Sequence, residues 1–290
     1  MIKPVWKGME ALLPMDRGSY FIDGTFSEPQ LNHPEGIAVA QDGSIWCGGE
    51  RGEIFRIAED GSRLEQIAAT AGFTLGLAFD GDGLLYACDL KHAAVFRLDP
   101  RSRELTRFAD GDGRGRRIRI PNAPVADSQS GYLYVSDSFD SAEAGPGVWR
   151  FELVTGKGEM WYDRPLRFAN GMAMAPDRKS LYVAETFGRI ISRISIQADG
   201  SPGEKELVVK IDALPDGLSF DSRGRLYISC YEPSMLFRWS EARGLELLFY
   251  DEEAHLLCHP TNCAFRGNDL FMSNLGRWHV TKLSNVLQEE

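Results

Sequence analysis

Hydrophobic and polar positions along this 290-residue chain alternate in short runs, and the runs recur as one unit written six times. Each unit opens with a small apolar segment and passes an Asp/Gly-type turn. It then reaches a hydrophobic–aromatic pair and an apolar stretch carrying one basic residue. The aromatic members are Trp46, Tyr86, Tyr134, Tyr182, Tyr227 and Phe271, and the basic members are Arg56, Arg97, Arg150, Arg193, Arg238 and Lys282. β-Branched and aromatic residues bounded by Gly, Asp and Pro are strand chemistry, and no long helical periodicity interrupts them. Successive units start 40–48 residues apart, the length of a four-stranded propeller blade. The pattern predicts an all-β fold, a six-bladed β-propeller filling residues 1–290 as one domain. Its repeats begin near Glu35, Leu75, Asn122, Asn170, Asp216 and Thr261.

The last unit ends at Leu283 after three strands. A ring without exposed sheet edges then needs a strand from the other end of the chain. Residues 24–31 precede Glu35 as Leu207-Val208-Val209-Lys210 precedes Asp216, so they are predicted to supply the outer strand of blade six.

The residue that opens each unit changes from copy to copy. Read as dipeptides, Asn170-Gly171 and Asp216-Gly217 are tight-turn chemistry. Each unit, however, has its own turn further on, such as Asp42-Gly43 or Asp221-Ser222-Arg223-Gly224. Six equivalent turns would not need Glu, Leu, Asn, Asn, Asp and Thr. Equivalent positions of a closed ring meet at its axis, so the variation points to an asymmetric site there. Glu35, Asn170 and Asp216 would present two carboxylates and an amide carbonyl, an all-oxygen set suited to Ca²⁺, Mg²⁺ or Mn²⁺. Asn122 is a fourth ligand or a donor beside them.

Loops between second and third strands lie on the same face and would wall the mouth. The longest is residues 137–147; others hold Thr186-Phe187, Tyr231-Glu232 and Trp278-His279. Aromatics with a few polar groups suit a small organic ligand, although each loop also reads as an ordinary solvated one. His33 is a partner behind Glu35 or a surface histidine.

A net charge of −10 and a pI near 5.1 argue against a nucleic-acid partner, which requires a basic footprint. The N-terminus has no continuous apolar core of a signal peptide, and no run reaches membrane-span length. Five scattered cysteines fit a reducing cytoplasm, and Cys258, His259 and Cys263 lack a zinc spacing. The expectation is a cytoplasmic protein with a small-molecule substrate and no nucleic-acid or membrane partner. No oligomeric state is read from the sequence.

The strings His33-Pro34-Glu35-Gly36-Ile37-Ala38-Val39, Phe168-Ala169-Asn170-Gly171-Met172-Ala173, Leu214-Pro215-Asp216-Gly217-Leu218 and Pro260-Thr261-Asn262-Cys263-Ala264-Phe265, in that order and phase, resemble the regucalcin/gluconolactonase family. The resemblance runs from about Asn32 to Leu283. It implies one divalent cation on the axis, Ca²⁺ first and then Mg²⁺, Mn²⁺, Zn²⁺ or Fe²⁺, held by Glu35, Asn170 and Asp216. It also implies Asp216 as the proton-transfer residue and Asn122 as a substrate contact. The family's Arg two residues before that Asn meets Ile120 here, with Arg119 the neighbouring candidate, and its acidic contact in the third-blade loop falls on Glu143.

The function expected on this basis is a metal-dependent lactonase, a carboxylic-ester hydrolase. Alternatives are a phosphotriesterase or arylesterase of the same architecture, or a non-catalytic binding propeller with a structural metal. A strictosidine-synthase-like condensing enzyme relies on a carboxylate in the last blade's inner strand, and Thr261-Asn262-Cys263-Ala264-Phe265 offers none.

Overall fold

A computed structural model, which describes residues 5–288, arranges the alternating runs as six four-stranded antiparallel sheets, the blades of a propeller. The first strand is β1 (Gly18–Asp23). Blade one is β2 (Ile37–Val39), β3 (Ile45–Gly48), β4 (Glu53–Ile57) and β5 (Leu64–Ala69). Blade two is β6 (Thr74–Phe79), β7 (Leu85–Asp89), β8 (Ala94–Asp99) and β9 (Glu104–Ala109). Blade three is β10 (Pro121–Asp127), β11 (Tyr132–Asp137), β12 (Gly145–Glu152) and β13 (Gly158–Leu166). Blade four is β14 (Ala169–Met174), β15 (Ser180–Glu185), β16 (Ile190–Ile196) and β17 (Pro202–Lys210). Blade five is β18 (Leu214–Phe220), β19 (Leu226–Glu232), β20 (Met235–Ser240) and β21 (Gly244–Tyr250). Blade six is β22 (Pro260–Arg266), β23 (Asp269–Asn274) and β24 (His279–Leu283), completed by β1. Each inner strand touches the next, and β22 returns to β2.

The repeated sequence frame has a direct register meaning. Trp46, Tyr86, Tyr134, Tyr182, Tyr227 and Phe271 stand directly opposite Arg56, Arg97, Arg150, Arg193, Arg238 and Lys282 on the neighbouring strand. In five of the blades the basic head then meets an acid on the outer strand or the turn, whereas Arg97 lies over the Phe108 ring at 5.3 Å. Arg56 reaches Asp42 at 2.9 Å, Arg238 reaches Glu246 at 2.9 Å and Lys282 reaches Asp269 at 2.8 Å. Most of these pairs are at the surface and contribute little, about 0–1 kcal/mol each. Between the blades lies the apolar core. Outer-strand bulge residues pack edge-on over the central aromatics, Phe108 on Tyr86 and Trp161 on Tyr134. In blade one Ile67 holds that place, and a cavity of about 400 Å³ opens beside Trp46 and Phe79.

Ring closure occurs as expected, but through a different segment. The strand that pairs with β24 is β1, residues 18–23, and not residues 24–31. The sequence analogy assumed the short link of blade four, six residues from Lys210 to Asp216 (216 − 210). The link from Asp23 to Glu35 is instead twelve residues (35 − 23), close to the eleven from Tyr250 to Thr261 (261 − 250). Residues 24–31 form that crossover, in which Asp23 caps Thr25 and the Gly24 N–H donates to the Trp278 carbonyl at 2.7 Å. A second strap precedes β1: the N–H groups of Leu12 and Leu13 donate to the Leu247 and Leu248 carbonyls of blade five.

Two smaller assignments also shift. The third-blade loop is residues 138–144, because Asp137 and Gly145-Pro146-Gly147 belong to strands. Tyr231 and Glu232 end β19, and His279 opens β24.

Phe21, on β1, packs edge-to-face on Phe271 with centroids 4.8 Å apart, whereas Phe26 is 99% exposed. Phe21→Ala is therefore expected to cost about 2 kcal/mol of stability in a urea titration. Phe26→Ala should stay within about 0.5 kcal/mol. The reverse order would restore residues 24–31 as the closing strand.

Candidate functional site at the propeller axis

Five inner strands carry a one-residue bulge where their axial residue stands. In β14, Ala169 faces Glu185 and Met172 faces Val183, so Asn170 and Gly171 together oppose Ala184. The same interruption occurs at Leu75-Gly76, Asn122-Ala123, Asp216-Gly217 and Thr261-Asn262. A bulge breaks the alternating pleat and re-aims one side chain. The extra N–H it releases finds a serine on the second strand in three blades. Ala123 donates to Ser136 Oγ at 2.8 Å, Gly217 to Ser229 Oγ at 3.0 Å and Asn262 to Ser273 Oγ at 3.2 Å. The glycine following the axial residue has its own cause: a Cβ on Gly171 would overlap the Asp216 carbonyl, and one on Gly36 the Leu75 carbonyl. Asn170-Gly171 and Asp216-Gly217 are thus strand bulges pressed against the next blade, not hairpin turns.

The four candidate polar residues are buried, Asn122, Asn170 and Asp216 on bulges and Glu35 in the segment that enters β2. Glu35 is 4% exposed, Asn122 5%, Asn170 4% and Asp216 6%. Leu75 and Thr261 complete the ring of opening positions, both buried. Two of the side chains are held by the same device. Asn122 Nδ2 donates to Ser138 Oγ at 3.1 Å, and Ser138 Oγ donates to the Ala169 carbonyl at 2.8 Å. Asn170 Nδ2 donates to Thr186 Oγ1 at 3.1 Å, and Thr186 Oγ1 donates to the Pro215 carbonyl at 2.7 Å. In each case the hydroxyl lies sixteen residues after the Asn and reaches the residue before the next blade's axial position. The amide nitrogen is thereby engaged, and the amide oxygen is left over. Blade six does the corresponding job for Glu35, whose carbonyl accepts from Thr261 Oγ1 and Ser273 Oγ at 2.6 Å each and from Asn262 Nδ2 at 3.1 Å.

What remains is a set of oxygens without donors. Asn122 Oδ1, Asn170 Oδ1 and Asp216 Oδ1 are buried with no hydrogen-bond partner. A buried polar atom left alone is costly. The charges point the same way. Burial first and the neighbouring Asp216 second push the Glu35 carboxyl well above its ordinary range. Burial raises Asp216 from 3.8 to about 7, against a smaller downward pull from the Asn170 amide. Two buried carboxylates with adjacent bare amide oxygens are what a hard divalent cation satisfies. Among the described residues no three His, Cys, Asp or Glu side chains stand together as a metal site, so a cation here depends on the neutral amide oxygens. Beyond the polar ring the axis continues as a cavity of about 270 Å³ lined largely by apolar side chains, including Ile37, Leu77, Met172 and Leu218. Polar ligands are therefore offered toward the other face.

On that face the rim is aromatic. Phe168 packs on Phe187 at 4.7 Å, Tyr231 stacks on His259 at 4.5 Å, and His33 lies 4.6 Å from Trp278. His33, Phe168 and His259 each stand two residues before an axial position, and each has left-handed backbone, φ 45°, 61° and 48°. The His33 ring bonds the Leu275 carbonyl at 2.7 Å, tying blade one to blade six. Tyr231 is the rim group nearest in effect to the axis, since burial and then the Asp216 charge raise its phenol.

Arg119 and Glu143 stand apart from the four axial residues. Arg119 is exposed, its guanidinium 4.2 Å over Phe139 and 3.7 Å from Asp140. Glu143 is exposed on the 138–144 loop, its N–H donating to Asp140 at 3.3 Å. Cys258 is half-buried, while Cys263 is buried on β22. Sequence reasoning missed Ser138, the role of Thr186, Asn262 and the serines behind the bulges. The signals were present as the sixteen-residue spacing and as Ser two residues after Tyr134, Tyr227 and Phe271.

The model of the SMP-30/Gluconolactonase/LRE-like region matches residues 69–274. The chain belongs to this family. A strictosidine synthase-like N-terminal model also matches residues 25–57. The chain is 31% identical to Protein STRICTOSIDINE SYNTHASE-LIKE 6 of Arabidopsis thaliana, over 87% of this chain and 79% of that one. Among solved structures, a gluconolactonase from Xanthomonas campestris superposes with a TM-score of 0.72 at 21% identity, covering 86% of this chain and 84% of that one. Regucalcin of Agrobacterium tumefaciens, described as a calcium-binding protein, superposes with a TM-score of 0.70 at 17% identity, covering 88% and 92%. At these identities the two structures are similar in fold. The SMP-30/gluconolactonase frame thus accounts for the blades.

Two outcomes follow from the axial geometry. Glu35 and Asp216 bind more protons folded than unfolded, so chelator-treated protein should lose stability as pH rises from about 4 to about 7. Thermal melts should show that loss, and a divalent cation should raise the midpoint more at pH 8 than at pH 5. Separately, Thr186→Val frees the Asn170 amide to rotate. Calorimetric cation affinity should fall about 10-fold or more, and Thr186→Ser should restore it.

Proposed function

We propose that the protein is a divalent-metal-dependent hydrolase that opens a lactone or related small carboxylic ester. The observation that carries this reading is the donor-free oxygen set at the axis: Asn122 Oδ1, Asn170 Oδ1 and Asp216 Oδ1 beside the Glu35 carboxyl. Glu35, Asn170 and Asp216 would hold the ion, with Asn122 as fourth ligand or substrate contact. The calcium-binding regucalcin neighbour supports Ca²⁺, and the gluconolactonase neighbour supports a lactone. When bound, such an ion supplies a Lewis acid for an ester carbonyl and charge stabilisation for the oxyanion.

The chain's own groups supply the rest. Asp216 takes a proton from the attacking water as that water's oxygen bonds to the carbonyl carbon. When the ring C–O bond breaks, Asp216 returns the proton to the leaving oxygen, and the product is a hydroxy acid. Burial makes Asp216 a stronger base than an ordinary aspartate, in the direction this role requires. Asn122, fixed by Ser138, presents its oxygen beside the ring and orients the substrate. The strictosidine synthase-like relative raises a condensing enzyme as the second reading. β22 offers Thr261 and Asn262 and no carboxylate, which favours hydrolysis.

The test is a pH-indicator assay on a lactone and aryl-ester panel, with protein stripped by chelator and reloaded with Ca²⁺, Mg²⁺, Mn²⁺, Zn²⁺ or Fe²⁺. Turnover should vanish on stripping and return with one ion. Asp216→Asn should lower turnover by about 10²–10⁴-fold while calorimetry still detects the ion. Cation binding with no turnover in any loaded state would move the reading to a binding propeller.

A further inference from the structure

The rim of the axial site presents mainly aromatic rings. Most of its hydrogen-bonding groups are already committed, the exception being Arg167 beside Phe168, whose Nη1 has no partner. The Ser138 and Thr186 hydroxyls bond the Ala169 and Pro215 carbonyls, and the His33 and His259 rings bond the Leu275 and Tyr231 carbonyls. Arg119 lies on Phe139 and faces Asp140. Apolar faces are offered in their place. Phe187 is 42% exposed and Leu90, on the matching loop of blade two, is 36% exposed. Trp278, on the loop of blade six, and Tyr231, at the end of β19 in blade five, stand half-buried.

Three of the rings beneath them are held in a backbone conformation that non-glycine residues seldom adopt. His33, Phe168 and His259 repeat it at one equivalent position in three blades, two residues before the axis. Strain repeated in this way marks a built surface, and its place around the axial oxygens makes it the wall a ligand passes. Leu75 continues the apolar wall at the ring itself, where blade two offers no polar side chain.

We infer that the substrate is an ester or lactone bearing a planar aryl or similarly apolar group, which lies between Phe187, Tyr231 and Trp278 while its carbonyl reaches the axial oxygens. This rests on the hydrolytic reading only for the bond that is broken. A polyhydroxylated lactone would have to give up water at several hydroxyls and find few free donors or acceptors on the rim. An aryl group leaves water and gains ring contacts.

The experiment uses 3,4-dihydrocoumarin and glucono-1,5-lactone as substrates, with 3,4-dihydro-2-quinolinone as a lactam isostere for calorimetry. The same divalent ion is present throughout. Wild-type protein is expected to favour dihydrocoumarin by about tenfold or more in kcat/KM. Phe187→Ala and Trp278→Ala should each raise its KM, and the lactam Kd, by about fivefold to tenfold, leaving kcat and cation affinity unchanged. Phe187→Leu, which keeps apolar bulk, should be intermediate and guards against a folding defect. Preference for gluconolactone, or lactam binding indifferent to both alanine variants, would overturn the inference while leaving hydrolysis standing. Rim-dependent lactam binding with no turnover of either lactone would uphold the aryl-binding rim and overturn the hydrolytic reading. Absence of both binding and turnover would overturn both.

Discussion

The antiparallel pairing of β1 with β24 is the constraint on which the axial site depends. Glu35 lies at one end of the chain's run of blades and Thr261 at the other, 226 residues apart, yet the Thr261 hydroxyl holds the Glu35 carbonyl. Asp216 acts electrostatically on Glu35 only because blades five, six and one are brought round together. No local interaction of blade one could produce this arrangement. β2 is three residues long and has few ladder bonds of its own. Its position comes from neighbours on both sides, and β1 fixes one of those neighbours. The pairing also removes the open edge that blade six would otherwise present.

Within the closed ring the site is made by departures from regular sheet. A regular strand sends alternate side chains to opposite faces and none along the propeller axis. The bulge supplies the missing direction, the glycine after it lets the next blade approach, and a serine on the second strand takes up the N–H that the bulge releases. Each blade then fixes the axial residue of the next, as Ser138 does at Ala169 and Thr186 at Pro215. The oxygens so aimed are left without donors, and two carboxyls are buried within reach of each other. A fold that invests hydrogen bonds in orienting these groups while leaving their outward atoms bare has placed a cost at the axis. A hard cation bound there would remove that cost.

Most of the architecture was legible because the repeat gives six readings of one rule. The aromatic and basic positions recur in phase, and the structure pairs all six across the same two strands. The axial residues were legible for the opposite reason: they break the repeat where symmetry alone would preserve it. β1 was misplaced because its link to Glu35 follows the long connections that enter blades three and six, whereas the analogy drew on the short one that enters blade five. The hydroxyls that orient Asn122 and Asn170 were harder to read. Ser138 and Thr186 are common loop residues, and their role appears only when β11 and β15 are folded back beside β10 and β14. Leu75 is visible in the sequence as one of the changing opening residues, but its consequence needs the ring: it makes one side of the axis apolar.

The frame alone cannot choose among chemistries, since one arrangement of blades is similar to a gluconolactonase and to a calcium-binding regucalcin, while the sequence is similar to a strictosidine synthase-like protein. Differences between such proteins must lie where the frame leaves freedom, and in this chain that is the rim. There Ile120 stands where the resemblance expects an arginine, Arg119 turns outward onto Phe139, and paired rings occupy the mouths of blades four, five and six. The axial oxygens offer a donor-free set of the kind a hard cation takes. The rings stand around the approach to them. In this chain the axial oxygens and the rim rings belong to different residues, so the rim can change while hydroxyls such as Ser138 and Thr186 still hold the axial side chains.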